Sequence, residues 1–391
     1  MNIVIIFHNI GGYHAARLRA AQSTLNDAGH TLTAIQETDN AHEHPWGNSR
    51  QTITFPLITL LPSQEAAGIS QIDPQSQNAA KRLPQQLEKL KPDLLAIPGW
   101  GFPIARTALT WAKRQHIPTI LMSDSKWDDE PRQWWKETIK SLLYVNKFNA
   151  ALVAGKLHKD YLVRLGMAKE SIFLGYDVVD NQYFTEKSQQ IQKNAQITRK
   201  KYPNIPSAPY FIAVTRFIPR KNLLLLLRAY KGYRQQTQAI PWELVLCGSG
   251  ADEATIKQFI RAENLNDVVH LPGFVPYQDI PAWYALAGAF IHPALQEQWG
   301  LVVNEAMAAG LPVLVSNRCG CFPELVLEGV NGFGFDPDDQ QQLTKLMLKI
   351  SSGEVELAVM GQASLQHIQK YSPDYFAQGL ADAIQYTFQN K

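Results

Sequence analysis

The sequence predicts an α/β protein built from two parallel-sheet domains, on three observations. Short apolar runs alternate with helix-like stretches along most of the chain, which is the pattern of βαβ units. A polar, Lys/Gln-rich, strand-free stretch, 176–206, interrupts the alternation near the middle. Beyond it the alternation restarts with glycine turns of its own. Length agrees, because 391 residues is long for a single core. The expected division is an N-terminal domain over 1–180, a linker over 181–206 and a second domain over 207–372. The last helix, about 373–391, carries Tyr375, Phe376, Leu380, Ile384 and Phe388 on a helical period, and it is expected to pack back on the first domain.

Composition narrows the class. Apolar residues make up 45% and charged residues 18%, as in a globular protein with a substantial core. A net charge of +2, from 37 basic and 35 acidic residues, provides no global field for nucleic acid. The N-terminus enters strand-like sequence at once, without a basic region or cleavage site, and no apolar run reaches the roughly 18–20 residues of a membrane span. Cytoplasm is therefore the expected location. Three cysteines, Cys247, Cys319 and Cys321, cannot all pair, and a lone Cys-X-Cys without nearby histidines is read as packing rather than as a zinc site.

The first domain opens with the apolar run Ile3 to Phe7, then His8-Asn9-Ile10-Gly11-Gly12, a helix over 13–26 and a strand over 31–36. The glycine pair admits a sharp turn or the close approach of a ligand. It is not a GxGxxG fingerprint, and no acidic residue closes the expected second strand, which argues against a dinucleotide. From His42 to Gln85 the chain is rich in Gln, Ser, Asn and Pro and reads as loops and short helices, with one strand-like run at Thr52 to Phe55. A strand over 92–98 ends at Gly99-Trp100-Gly101, and another over 119–122 ends at Ser123-Asp124-Ser125. Open α/β sheets bind ligands beyond the carboxyl ends of their strands, so His8, Gly12, Trp100 and Asp124 are candidates for one side of a cleft.

The run 132–148 is an expected amphipathic helix with Arg132, Lys136 and Lys140 at spacing four beside Trp134-Trp135. Such a helix suits an anionic membrane surface. The preferred reading is plainer, a solvated basic face with both tryptophans packed inward.

In the second domain, strands are expected at 210–214, 242–247, 268–271, 289–292 and 313–316, the second ending in the Gly248-Ser249-Gly250 turn. Arg216 and Lys221 follow the first of these strands and precede a helix. A rigid guanidinium fork beside a mobile ammonium suits a diphosphate, although solvated loop charge explains the same run equally well. What changes the balance is the stretch His292 to Val315. There Glu297, Trp299-Gly300 and Glu305 bracket the point where a loop becomes a helix. A helix start attracts anions because its first N–H groups lack partners and its dipole is positive there. The two carboxylates alone would also fit glycoside hydrolysis, but the Arg/Lys pair and the glycine-bearing helix start point to phosphate.

At this point a resemblance emerges. Glu297, seven residues and Glu305-Ala-Met-Ala-Ala-Gly-Leu-Pro-Val resemble the Glu-X7-Glu motif of retaining glycosyltransferases of family 4, which have the GT-B fold of two Rossmann-like domains facing a central cleft. Thr215-Arg216 through Lys221-Asn222, Leu271-Pro272-Gly273-Phe274-Val275, and Cys319 to Val326 with Gly329 to Gly332 resemble further segments of that family, in its order. The resemblance covers most of the second domain. In the first domain it extends only to the layout and the glycine loop.

The resemblance implies transfer of a sugar from a nucleoside-diphosphate sugar to an acceptor (a glycan, a lipid-linked or a small molecule), with retention of anomeric configuration. Arg216 and Lys221 would hold the diphosphate. Glu297 would contact the donor sugar and Glu305 the ribose hydroxyls. Backbone N–H groups at Gly300, Leu301 and Val302 would meet phosphate or sugar. Phe274 and Val275 would lie near the base, Gly12 would sit under the diphosphate, and Gly248 is grouped with these donor residues. His14, Trp100 and Asp124 are the acceptor-side candidates. The family works without a cofactor, and no metal is expected.

Departures from the family pattern are Thr215 for a glycine, Ala294 for a serine, Gly320-Cys321 for Gly-Gly, and Asp124 where many members carry a histidine. UDP, GDP and ADP sugars stand as equal candidates. The alternatives are a nucleotide-sugar epimerase or phosphorylase, a non-catalytic sugar-nucleotide binding protein and, more distantly, an NAD-dependent oxidoreductase. Cytoplasmic function with peripheral contact at the inner membrane face depends on whether the Trp134-Trp135 helix meets lipid.

Overall fold

The computed structural model describes residues 1–39, 53–62 and 72–389. The chain forms two compact units, Met1–Asp180 with Tyr371–Lys391, and Asn181–Lys370. The first contains β1 (Asn2–Phe7), β2 (Thr31–Thr38), β3 (Leu57–Leu61), β4 (Leu94–Pro98), β5 (Thr119–Ser123), β6 (Ala150–Val153) and β7 (Ile172–Leu174) in one parallel sheet, ordered β3-β2-β1-β4-β5-β6-β7. The second contains β8 (Tyr210–Val214), β9 (Glu243–Cys247), β10 (Val269–Gly273), β11 (Ala289–His292), β12 (Val313–Ser316) and β13 (Gly332–Phe335), also all parallel, ordered β10-β9-β8-β11-β12-β13. Each sheet starts at an inner strand, grows one way, then reverses. The reversal leaves a switch point between β1 and β4 and another between β8 and β11, the place where doubly wound sheets bind ligands.

Strand alternation explains the layers. In β1, Val4 and Ile6 face Leu83, Leu87, Ile104 and Ala108 of the helices Ile72–Leu90 and Pro103–Arg114. Ile3, Ile5 and Phe7 face the other way, onto Leu18 and Leu25 of the helix Gly12–Asp27 and onto Phe376, Leu380 and Ile384 of the last helix, Pro373–Gln389. With both faces covered, the strands read as continuous apolar runs. The last helix reaches β6 and β7 at backbone distance, because a Cβ on Gly379 would lie 2.1 Å from the Leu174 carbonyl oxygen. Gly175 makes the reciprocal approach with φ +115°, and a Cβ there would lie 2.6 Å from the Tyr375 carbonyl oxygen.

Several elements differ from expectation. The third strand is Leu57–Leu61 rather than Thr52 to Phe55, whose first residue lies outside the described residues. The expected loops and short helices of 42–85 include a 19-residue helix, Ile72–Leu90, with Pro84 inside it, while 42–52 and 63–71 lie outside the described residues. The second strand runs on to Thr38, so an acidic residue, Glu37, does stand near its end. The stretch 181–206, expected as a linker, is largely helical and folds with the second unit. Its anchor is Phe184, fully buried edge-on against Tyr277 and Tyr284, with Asn181 Nδ2 donating to the Ile368 carbonyl (2.8 Å) and Thr185 Oγ1 to the Ala308 carbonyl (2.8 Å). Its outward Lys/Gln face made it look like a tether. The closing strand β13 was hidden by its glycines. A Cβ on Gly332 would lie 2.0 Å from the Val313 carbonyl oxygen, so the residue that reads as a turn is what permits the pairing.

Gly379→Val is expected to destabilise the first unit by about 1–3 kcal/mol through overpacking against β7. Urea unfolding followed by hydrogen exchange should show the loss in β6, β7 and the last helix while β8–β13 keep their protection.

Candidate active site

In the second unit the candidate residues line up on the carboxyl ends of neighbouring strands. Arg216 and Lys221 follow β8, Gly248 follows β9, Phe274 and Val275 follow β10, and Glu297 follows β11. The loops are stitched together by backbone. Leu295 N–H donates to the Arg220 carbonyl (2.9 Å), joining the two loops at the switch point. Phe217 N–H donates to the Ser249 carbonyl (2.7 Å), and a Cβ on Gly248 would lie 1.8 Å from the Thr215 carbonyl oxygen, so only glycine lets the β8 and β9 loops close on each other. Gly320 N–H donates to the Glu297 carbonyl and Cys321 N–H to that of Trp299, both at 3.1 Å, which fastens the β11 loop to the turn after β12.

At the centre is Glu297. Its Oε2 is bonded by the Lys221 ammonium and lies 2.9 Å from Nε2 of His292, the last residue of β11. Lys221 and His292 are buried, while the Glu297 side chain keeps 15% of its exposure. Burial pushes the Glu297 carboxyl up, but the Lys221 charge and the His292 hydrogen bond override it and hold the group well below the carboxylate range. His292 goes the other way. Burial lowers it and the Lys221 charge adds to that, against the opposing pull of Glu297. A neutral imidazole facing an ionised carboxylate must present N–H, so Nε2 donates and Nδ1, buried with no hydrogen-bond partner among the described residues, is the acceptor nitrogen.

Gly300 makes the turn into the helix Leu301–Ala308 at φ +107°, and a Cβ there would press to 3.3 Å from Glu297 Cγ. Leu301 and Val302, in the first turn of that helix, are half-buried. Trp299 is locked beneath the turn by its indole N–H, which donates to Asn304 Oδ1 (2.9 Å). Farther along the helix Glu305 is buried, and the Tyr284 hydroxyl donates to its Oε2 (2.7 Å). Arg216 is exposed, as is Phe274, and Val275 is half-buried. Cys319 and Cys321 are buried, and burial pushes the Cys321 thiol up, as expected of packing residues. Sequence reasoning missed His292 as a site residue. Its signal was its position, ending a buried strand five residues before Glu297. It also missed Tyr284, which only tertiary packing brings to Glu305.

In the first unit the candidates sit at the carboxyl ends of β1, β4 and β5, neighbours in the sheet. Gly12 begins the first helix, and Gly11 N–H donates to Nδ1 of His14 (3.3 Å), so His14 is engaged at the helix start with its ring edge-on to Phe7. Trp100 is half-buried against the core and Asp124 is half-buried just past β5. His8 Nδ1 lies 2.7 Å from Oε2 of the buried Glu37, and its ring stacks on Phe102 at 5.3 Å. The carboxylate near the end of the second strand therefore serves a histidine. The helix Trp134–Leu143 is a second correction: both tryptophans face outward, because the face packed on the protein is the polar one, centred on buried Glu137.

The fold is GT-B. Residues 194–367 match the family model described as glycosyl transferases group 1. Among curated relatives, O-antigen chain mannosyltransferase B of Escherichia coli is 30% identical over 182 residues, 46% of this chain and 43% of that protein. The chain thus spans less than half the length of that relative. Over whole chains, a glycosyltransferase from Rickettsia africae ESF-5 superposes with a TM-score of 0.76 at 14% identity, covering 100% of this chain and 99% of the other. Anabaena Alr3699/HepE, solved in complex with UDP and glucose, gives 0.72 at 16% identity, covering 98% and 99%. Among the described residues no helix is long and apolar enough to cross a membrane.

The Glu297 carboxyl is lower in the folded state than in the unfolded chain, so its contribution to stability is complete above the ordinary carboxylate range, begins to fall as the pH enters that range and is gone only in strong acid. Lys221→Met removes the charge that sustains this shift and leaves a poorly compensated carboxylate. It should cost roughly 3 kcal/mol at pH 7 and less at pH 4, measured as the difference in urea midpoint between the two pH values.

Proposed function

We propose that the protein is a glycosyltransferase that moves a sugar from a nucleoside-diphosphate donor to an acceptor, with retention of anomeric configuration. The observation that carries this reading is the Lys221–Glu297–His292 group at the β8/β11 switch point, beside the start of the helix Leu301–Ala308. The family match over the second unit and the names of the relatives support it.

The chemistry follows from charge. As the bond from the anomeric carbon to the diphosphate breaks, negative charge builds on the leaving phosphate. Arg216 and Lys221 meet that charge, Lys221 already fixed by its bond to Glu297, and fixed cations stabilise a developing anion without reorganising. This assigns to side chains the work a metal could otherwise do, so the reading needs neither metal nor cofactor. Backbone N–H groups at Gly300, Leu301 and Val302 receive phosphate or sugar oxygens, with Gly248 giving close backbone approach. Glu297, ionised at neutral pH, accepts hydrogen bonds from sugar hydroxyls. Glu305, aimed by Tyr284, accepts those of the ribose, while Phe274 and Val275 flank the base. His14, Trp100 and Asp124 serve the acceptor side. Nucleic acid is not a partner in this reading. Action in the cytoplasm, with peripheral contact at the inner face of the membrane, belongs to it.

A panel of UDP-, GDP- and ADP-sugars should contain one donor that raises the melting temperature and is turned over, read as free nucleotide released. Glu297→Ala and Arg216→Ala should each lower the release rate by about 10²-fold or more. Glu305→Gln should act mainly on donor KM. Full activity in Glu297→Ala, or no binding and no release across the panel, would sink the assignment.

A further inference from the structure

The helix Trp134–Leu143 is amphipathic the wrong way round. In a water-exposed helix the apolar stripe faces the core and the charged stripe faces solvent. Here Glu137 is the buried residue, bonded by the Tyr161 hydroxyl (2.6 Å) and by Lys140 (2.9 Å), with Arg132 at 3.8 Å. On the same side Ser141 Oγ donates to the Leu165 carbonyl at 2.5 Å. These polar contacts fix the rotation of the helix. The opposite stripe, Trp134, Trp135, Ile139, Leu142 and Leu143, stands in water, with Trp134 79% and Leu142 65% exposed. The spacing places these side chains on one face.

We infer that this face docks on an anionic lipid bilayer, lying in the headgroup plane rather than crossing it. Charge and chemistry favour that occupant. Between Trp134 and Lys147 the chain carries three lysines, Lys136, Lys140 and Lys147, against one carboxylate, and that carboxylate is the buried Glu137. Lys136 and Lys147 are exposed, Lys136 lying over the Trp135 ring at 5.3 Å. Burial and the neighbouring Lys147 hold the Lys113 ammonium below its ordinary value, which agrees with a local excess of cations. The exposed carboxylate of Glu130, just before the helix, is matched by Arg132 at 2.8 Å and Lys140 at 3.7 Å. An apolar stripe bearing paired tryptophans and flanked by lysines fits the interface, where an aromatic body seats among acyl chains while its N–H and the ammonium groups stay at the headgroups. At ten residues the helix is far too short to span.

The inference deepens the membrane-face location proposed above and is independent of donor binding, which is assayed without lipid. The test uses the full chain and extruded vesicles, one set of phosphatidylcholine and one of equal phosphatidylcholine and phosphatidylglycerol. The expected result is co-sedimentation with the phosphatidylglycerol vesicles that weakens with salt, at least ten-fold weaker partition for Trp134→Ser/Leu142→Ser, and no change for Ile240→Ser, an equally solvent-facing apolar residue of the second unit. Because these side chains face solvent, the variants should melt with the parent. Three results would overturn the inference: no sedimentation with either vesicle set, unchanged binding in the double variant, or a dimer in light scattering that the double variant converts to monomer without any vesicle binding, which would assign the face to a second copy.

Discussion

The second unit depends on the contact between Lys221 and Glu297. It joins the loops after β8 and β11, the two strands between which the sheet reverses direction, so the opening every doubly wound sheet leaves at that point is spanned by an ion pair. A buried pair of this kind costs desolvation on both sides, and it persists where further hydrogen bonds meet the charges. His292 supplies one of them, from the strand end beneath. The backbone supplies the rest of the frame, with Leu295 tied to Arg220, Gly320 to Glu297 and Cys321 to Trp299. The carboxylate is thus held ionised in a largely buried place by contacts that also fix where it points.

The glycines make this frame possible. Gly300 turns the chain at positive φ so that the helix start follows Glu297 within a few residues, and Gly248 lets the next loop come within backbone contact of the β8 loop. Cysteine stands at position 321 where the related motif has glycine, and the structure accommodates it without strain in a buried turn at φ −77°. The first unit applies a similar device at its own switch point, where buried Glu37 orients His8 after β1 and Gly11-Gly12 opens the first helix.

Against this order the helix Trp134–Leu143 is a local conflict. Its sequence pattern would normally bury the tryptophans, and the surrounding charges reverse it. Arg132, Glu137, Lys140 and Tyr161 form a network whose desolvation is tolerable only if all members stay together, so the polar stripe must face inward and the apolar stripe is left outside. Such conflicts between local pattern and packing are expected at functional places rather than in inert scaffold.

The sequence by itself determined the fold class, the doubled βα alternation, and the positions of Arg216, Lys221, Glu297 and Glu305 at strand ends and at a helix start. Those features come from local periodicity and turn chemistry, which act over a few residues. It also placed Gly248 and Gly300 at turns. Only the tertiary structure decided which of these side chains meet. Lys221 and Glu297 are 76 positions apart, and Tyr284 and Glu305 are 21 apart. No local rule reveals such pairings, because they depend on strand order. Packing likewise decided that the polar stretch 181–193 is a helix anchored by Phe184, that Gly332 pairs in a strand rather than turning, and that Trp134 and Trp135 face outward. In each case the residue's own preference was weaker than the space or the charge its neighbours imposed.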